Sequence, residues 1–224
     1  MRTTLHRFGI LTVAVTIFAL LSVPAQAQLQ TPLTVYITNI TQGQILSPVV
    51  VVTHRAGAAP LFTPGEPAGA ELAQLAEDAV LQPLVTKLTA AGAYLDVEVI
   101  TGAGGPIMPG ETASVQIQSD ASNRFISLAG MLVSTNDTFV GLSGIVRPPF
   151  GTQSHYAIAY DAGSEANTEA CTDIPGPPCG NAGVRVTEGA EGYVYVSPGI
   201  SGKGDLTASP YTWLNPAAYV RVSR

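Results

Sequence analysis

The chain has 224 residues, with 16 acidic side chains against 10 basic ones and a formal net charge of −6. Only Lys87 and Lys203 are lysines, so the chain has no basic patch for nucleic acid or an anionic membrane surface and is better suited to attracting cations. Charged residues make up only 12%, with 23 Gly and 17 Pro, and Val, Ile and Thr are frequent, a composition that points to a turn-dense, β-rich domain.

The first residues read MRTTLHRFGILTVAVTIFALLSVPAQAQ. Arg2 and Arg7 precede an apolar stretch from Ile10 to Leu21, Pro24 follows, and Ala25-Gln26-Ala27 has the small-x-small form of a cleavage site. Residues 1–27 are therefore expected to be a signal peptide, because the apolar stretch is short for a bilayer span. The expectation is one exported domain over residues 28–224, secreted or periplasmic, with no transmembrane segment. Losing Arg2 and Arg7 and no acid would make that domain more acidic still.

In chain order, residues 33–40 alternate as an opening strand, and SPVVVVTH (47–54) is a β-branched run suited to a strand buried on both faces. The period then changes. Leu72, Leu75, Ala76, Ala79 and Val80 recur at helical spacing, continued by Leu84 and Leu88. Pro83 divides this region into two short helices, over 70–81 and 83–90, whose apolar face should cover the β core. Glu71, Glu77 and Asp78 fall on the opposite face and are expected to be solvated. Strand patterns resume at 94–101, 112–119, 124–134, 137–146, 155–160, 192–198 and 217–223. These elements predict a mainly β fold, an antiparallel β-sandwich of about eight strands with a short helical insertion. Residues 161–191 form a long irregular segment of the kind that carries function.

The two cysteines, Cys171 and Cys179, flank a Pro/Gly loop, and in an oxidising compartment a disulfide between them is expected. Outside residues 1–27 there are only two histidines, His54 and His155, so neither HExxH nor a three-His zinc site is available. GLSGI and GISGK both fail the serine-hydrolase elbow, and Lys203 is not followed by Ser or Thr as a phosphate loop requires. Trp213 reads as a packing residue. An enzyme is therefore poorly supported, and none is expected.

The oxygen-rich residues remain. Asp137 stands directly before an apolar strand, while Asp161 and Glu165 follow one in YDAGSE. If those strands are antiparallel neighbours, Asp137 and Asp161 meet at one edge, and Gly163 allows a turn that returns Glu165. Crowded carboxylates repel one another unless a hard cation such as calcium lies between them; the alternative is three ordinary polar loop ends. Asp205 is a candidate fourth oxygen ligand, whereas Glu169 and Asp173 read as solvated. Asn39-Ile-Thr41 and Asn136-Asp-Thr138 match glycosylation sequons, the second on the strand of the candidate site.

The segment LAGMLVSTNDTFVGLSG followed by YDAGSE resembles the spondin domain family (F-spondin/mindin type), whose members carry SPDWFVG and then DAGTD. The opening YITNITQGQ and the closing GDL…YTWLNPAAYVRV are also similar to bacterial members, so the resemblance spans about residues 33–222. It implies a C2-domain-like sandwich holding Ca2+ on Asp137, Asp161 and Glu165. Glu165 stands where animal members have Asp, and Thr138 where many relatives carry Trp. The animal proteins' further adhesive modules are absent here, so their partners do not carry over. The expectation is a secreted calcium-binding module for adhesion to an extracellular protein or glycan, with no nucleic-acid partner and no enzymatic role. The alternatives are a metal-assisted or carbohydrate-active hydrolase and a structural envelope protein.

Overall fold

The computed structural model describes residues 29–224, so the expected signal peptide, 1–27, lies outside the described residues. Among the described residues nine strands form: β1 (Thr31–Asn39), β2 (Val49–His54), β3 (Tyr94–Ile100), β4 (Thr112–Ser119), β5 (Phe125–Met131), β6 (Thr138–Val146), β7 (Thr152–Asp161), β8 (Tyr195–Val196) and β9 (Ala218–Ser223). Helices α1 (Ala70–Asp78) and α2 (Gln82–Ala90) lie between β2 and β3, and a short turn of helix, α3 (Ala208–Tyr211), precedes β9. Every pairing is antiparallel, in the order β3-β2-β5-β6-β7-β9-β1-β4, with β8 added to β7.

The mainly β, antiparallel character is as the alternation predicts, but the sheet is one path nearly closed into a barrel. β7 is the reason: its first half pairs with β9 and its last four residues pair with β6, so it joins the two halves of the sheet. The end strands β3 and β4 meet through side chains. Asp96 Oδ2 accepts from Gln118 N at 2.7 Å, and Thr53 Oγ1 donates to Gln118 O at 2.6 Å. These bonds satisfy edge groups that would otherwise be open to pairing with another chain.

The barrel interior collects the inward residues of alternating strands, among them Leu33, Val35 and Ile37 of β1 against Ile117, Val220 and Val222. All six residues of β2 are buried. Val49 and Val51 face the interior, whereas Val50 and Val52 face a second apolar layer formed by Phe62, Leu72, Leu75, Leu84 and Leu88. Each buried valine of that run stabilises the fold by about 1.5–3 kcal/mol, which is why four in succession fix β2 as the central strand between barrel and helices. α1 ends three residues earlier than its apolar period suggests. Ala79 turns left-handed (φ 56°), and its N–H and that of Val80 close on the carbonyls of Leu75 and Gln74, leaving Val80 exposed. Pro83 sits in the first turn of α2, where its missing N–H forfeits no helical bond.

Candidate functional site

The β6–β7 register pairs Thr138 with Asp161, so Asp137, one residue before β6, lies beside the end of β7. The backbone closes the junction, with Ala162 N donating to Asp137 O at 3.1 Å. Gly163 then turns the chain at φ +67°, and a Cβ there would stand 2.3 Å from the Tyr193 carbonyl oxygen, so only glycine fits. This turn brings the next residues back: Ser164 N and Glu165 N donate to Asp137 Oδ2 at 2.7 and 2.9 Å, joined by Ser164 Oγ at 3.1 Å. Asp161 Oδ1 accepts from Gly163 N at 2.8 Å, and its Oδ2 accepts from Asn167 Nδ2 at 2.8 Å. The three expected residues thus converge through one strand junction and one glycine turn.

All three carboxylates are buried, Asp137 and Asp161 at 0% exposure and Glu165 at 1%. Two of their oxygens, Asp137 Oδ1 and Glu165 Oε1, are buried with no hydrogen-bond donor. Burial, reinforced by the Asp161 charge, pushes the Asp137 carboxyl up to about 7 against the pull of the Ser164 and Glu165 donors. Glu165 is pushed up to about 8, first by burial and then by the charges of Glu77, Asp137 and Asp78, with Arg185 alone acting in the opposite sense. Burial also raises Asp161, opposed by its bonds from Asn167 and Gly163. Asn167 Nδ2 reaches Tyr195 Oη at 2.8 Å, and the phenol donates to Glu191 Oε1 at 3.0 Å, holding the outer side of Asp161. Burial and the neighbouring carboxylates raise the Tyr195 phenol well above its ordinary value, so it remains a donor.

Several acids stand elsewhere than the sequence suggests. Glu77 is buried (6% exposed) rather than solvated, ion-paired to Arg185 Nε at 2.7 Å; Asp78 receives Arg185 Nη2 at 3.3 Å and Gly183 N at 2.8 Å. Glu71 remains on the outside, paired with Lys87 at 2.7 Å. Glu169 and Asp173 are also buried. The Glu169 carboxylate sits in a nest of the N–H groups of Ser201, Gly202 and Lys203 at 2.8, 2.8 and 2.9 Å, with Ser201 Oγ at 2.7 Å, which holds its pKa below the ordinary carboxylate value despite burial. GISGKGD is thus an anion cradle filled by the chain's own glutamate. Asp173 accepts from the hydroxyls of Thr168 and Thr172, both at 2.6 Å. Asp205 is exposed and accepts from Cys171 N at 2.8 Å, steadying the disulfide loop.

Cys171 and Cys179 form a disulfide. Asn136 and Asn39 are both buried. Asn136 Nδ2 donates to Thr168 Oγ1 at 3.1 Å, and Asn39 Nδ2 donates to the carbonyls of Gln44 and Ile107 at 2.8 and 3.0 Å, so neither sequon amide is open to a glycan in the fold. His54 Nε2 bonds Ser127 Oγ at 2.9 Å inside the sheet, a structural histidine, and Trp213 is packed into the core. Glu77, Asp78 and Arg185 are the residues that sequence reasoning missed. One signal was present: two acids fill the last turn of α1 with no basic residue there, opposite to what the helix dipole favours.

Among the described residues, no three His, Cys, Asp or Glu side chains form a preassembled metal cage. Among the described residues, no helix is long and apolar enough to cross a membrane. Neither a scan against models of known protein families nor a search of the curated proteins finds a match for this chain.

Proposed function

We propose that the chain is an exported module of spondin-domain type that binds one calcium ion and serves adhesion or binding to an extracellular protein or glycan, without an enzymatic role of its own. The C2-like sandwich of that family is part of the same proposal. It would correspond to the two halves of the sheet that meet at β7. The disulfide accords with an oxidising destination outside the cytosol.

One observation carries the reading: Asp137 Oδ1 and Glu165 Oε1 are buried without donors, in a set where the Asp161 charge raises Asp137 and the Asp137 charge raises Glu165. A buried, unpaired carboxylate is costly and needs either a proton or a counter-charge. The donor set is entirely hard oxygen, from Asp137, Asp161 and Glu165, which suits calcium better than zinc or copper. The lack of a preassembled cage weighs less than the unpaired oxygens. A cation bound among them would offset the repulsion between these carboxylates. Bound calcium would neutralise the cluster and tie the start of β6 to the segment after β7.

Raised carboxyl pKa values also occur in enzymes. Here, however, the carboxyls are sealed from solvent, and the groove of about 400 Å³ lined by Phe62, Tyr156 and Tyr160 includes none of the three. The test is thermal unfolding in calcium and in chelator, for the wild type and Asp161→Ala. At calcium a hundredfold above its dissociation constant the wild type gains about 2.7 kcal/mol, and Asp161→Ala does not respond. A wild-type midpoint unchanged by chelation would sink the reading.

A further inference from the structure

Val35, Ile37, Val220 and Val222 point into the barrel, so the residues between them on β1 and β9 point outward. On that outer face the register sets Tyr156 of β7 opposite Tyr219 of β9, and Tyr219 opposite Thr38 of β1. In the next row Ser154 stands opposite Arg221, and Arg221 opposite Tyr36. A third row, Thr152, Ser223 and Thr34, carries hydroxyls throughout. Tyr156 is 62% exposed, and its ring centre lies 5.5 Å from that of Tyr219. The Arg221 guanidinium lies 4.3 Å from the centre of the Tyr36 ring. Ser154 Oγ and Tyr219 Oη are 2.7 Å apart, and Thr152 Oγ1 donates to Ser223 Oγ at 3.2 Å, so side-chain bonds hold the rows in place. Arg221 is the only charged residue in these three rows, although the chain carries 16 acids. Tyr156 also lines the groove of about 400 Å³, together with Phe62, Thr63, Ser143 and Tyr160, and no charged residue lines that groove. Phe62 and Tyr160 meet there with ring centres 4.8 Å apart. One exposed tyrosine thus joins an uncharged aromatic groove to a flat face of tyrosines and hydroxyls.

We infer that this face and groove bind a neutral glycan chain, with Tyr156 and Tyr219 as the stacking residues. The inference rests on the binding half of the proposed function and names its ligand class and surface; it does not depend on calcium. A sugar ring presents apolar C–H faces and a rim of hydroxyls. Tyrosine matches both, with an apolar ring and a polar tip. Serine and threonine hydroxyls donate and accept, as sugar hydroxyls do. Charge selects among ligands. An acidic chain repels polyanions at long range, and the absence of acids from the three rows and the groove leaves a cationic ligand without a partner. A peptide fits the flat face less well, because β1 and β9 are paired on both sides and offer no main-chain edge to an added strand. A large exposed aromatic beside a groove is otherwise a liability in water, and a stacked sugar covers it.

The test is depletion of the full chain from solution by cellulose, chitin, xylan and granular starch, with heparin-agarose and poly-L-proline agarose as the acidic and peptide counterparts. Wild type, Tyr156→Ala, Tyr219→Ala, the double variant and Val184→Ala, an exposed apolar position outside the face, are compared, each with its melting transition recorded. The wild type is retained on at least one neutral polysaccharide, equally in calcium and in chelator. Adding about 0.5 M NaCl leaves that retention unchanged, because no ion pair is involved. Each single tyrosine variant melts like wild type and binds roughly threefold to tenfold more weakly, the scale of losing one aromatic contact. The double variant is not retained, and Val184→Ala binds like wild type. Retention on heparin alone, lost in salt, would show ionic capture and overturn the inference. So would retention on poly-L-proline and on none of the polysaccharides. A wild-type dimer that Tyr156→Ala dissociates, seen by sedimentation, would make the face a contact between copies and overturn it as well. A folded wild type retained on no polysaccharide overturns the glycan face while leaving the calcium reading to its own melting test. Glycan retention that persists in chelator, with a melting midpoint that ignores calcium, keeps the glycan face and removes only the calcium reading.

Discussion

Replacing Asp137 by Asn removes a charge that the fold holds at a cost when no ion is present. The Asp137 carboxyl stands at about 7 in the folded chain against an ordinary value of 3.8. The sign follows from proton linkage. Between about pH 4 and pH 7 the folded state binds more protons than the unfolded one, so stability falls as pH rises through that window and levels off above it. A difference of about three pH units corresponds to about 4 kcal/mol, of which a part is shared with Asp161. Asparagine keeps an oxygen to accept from Ser164 and Glu165 while discarding the charge. In chelator at pH 8, Asp137→Asn is therefore expected to be more stable than wild type by about 1–3 kcal/mol, or roughly 2–12 °C in melting midpoint. At pH 5 the difference shrinks or reverses. The difference between the two proteins is the quantity to read, because His155, whose pKa burial lowers, contributes an opposite slope to both. On the proposed calcium reading the order inverts when calcium is added, since the wild type would gain the ion and the variant would lack a ligand. The assay is differential scanning calorimetry across pH 5–8. A chelated variant less stable than wild type at pH 8 would refute the account of a buried, uncompensated charge.

Gly163→Ala should lower stability by about 1–3 kcal/mol and abolish calcium stabilisation, because it places a Cβ 2.3 Å from Tyr193 O at a left-handed backbone position; thermal melts with and without calcium read both effects. Glu169→Ala empties the nest at Ser201–Lys203 and should destabilise by about 1–3 kcal/mol, with faster hydrogen exchange confined to residues 200–206. Reducing the Cys171–Cys179 bond opens a short loop, eight residues in separation, and should remove about 2–3 kcal/mol, read as a shift in denaturant midpoint between oxidised and reduced protein.

The strands were legible because burial here follows period two. β1, with Leu33, Val35 and Ile37 turned inward, and the doubly buried Val49–Val52 run could be placed from pattern alone. The ring-like closure was not legible. It depends on β7 changing partners midway along its length and on Asp96 reaching across to Gln118, and neither leaves a local sequence pattern. Asp137, Asp161 and Glu165 could be brought together in advance because strand ends and a glycine turn are local features. The burial of Glu77 could not be read in the same way. Helical periodicity places it among polar residues, whereas in the fold it is buried and ion-paired to Arg185, more than a hundred positions later. The same holds for Glu169, whose nest is built from residues 201–203 and whose own neighbourhood in sequence looks like a solvated loop.

The most direct measurement is anomalous diffraction from crystals grown with calcium. The account predicts a single calcium peak within about 2.3–2.6 Å of carboxylate oxygens of Asp137, Asp161 and Glu165. Crystals in saturating calcium with no peak among these residues, or with an ordered water there bonded to protonated carboxyls, would contradict it.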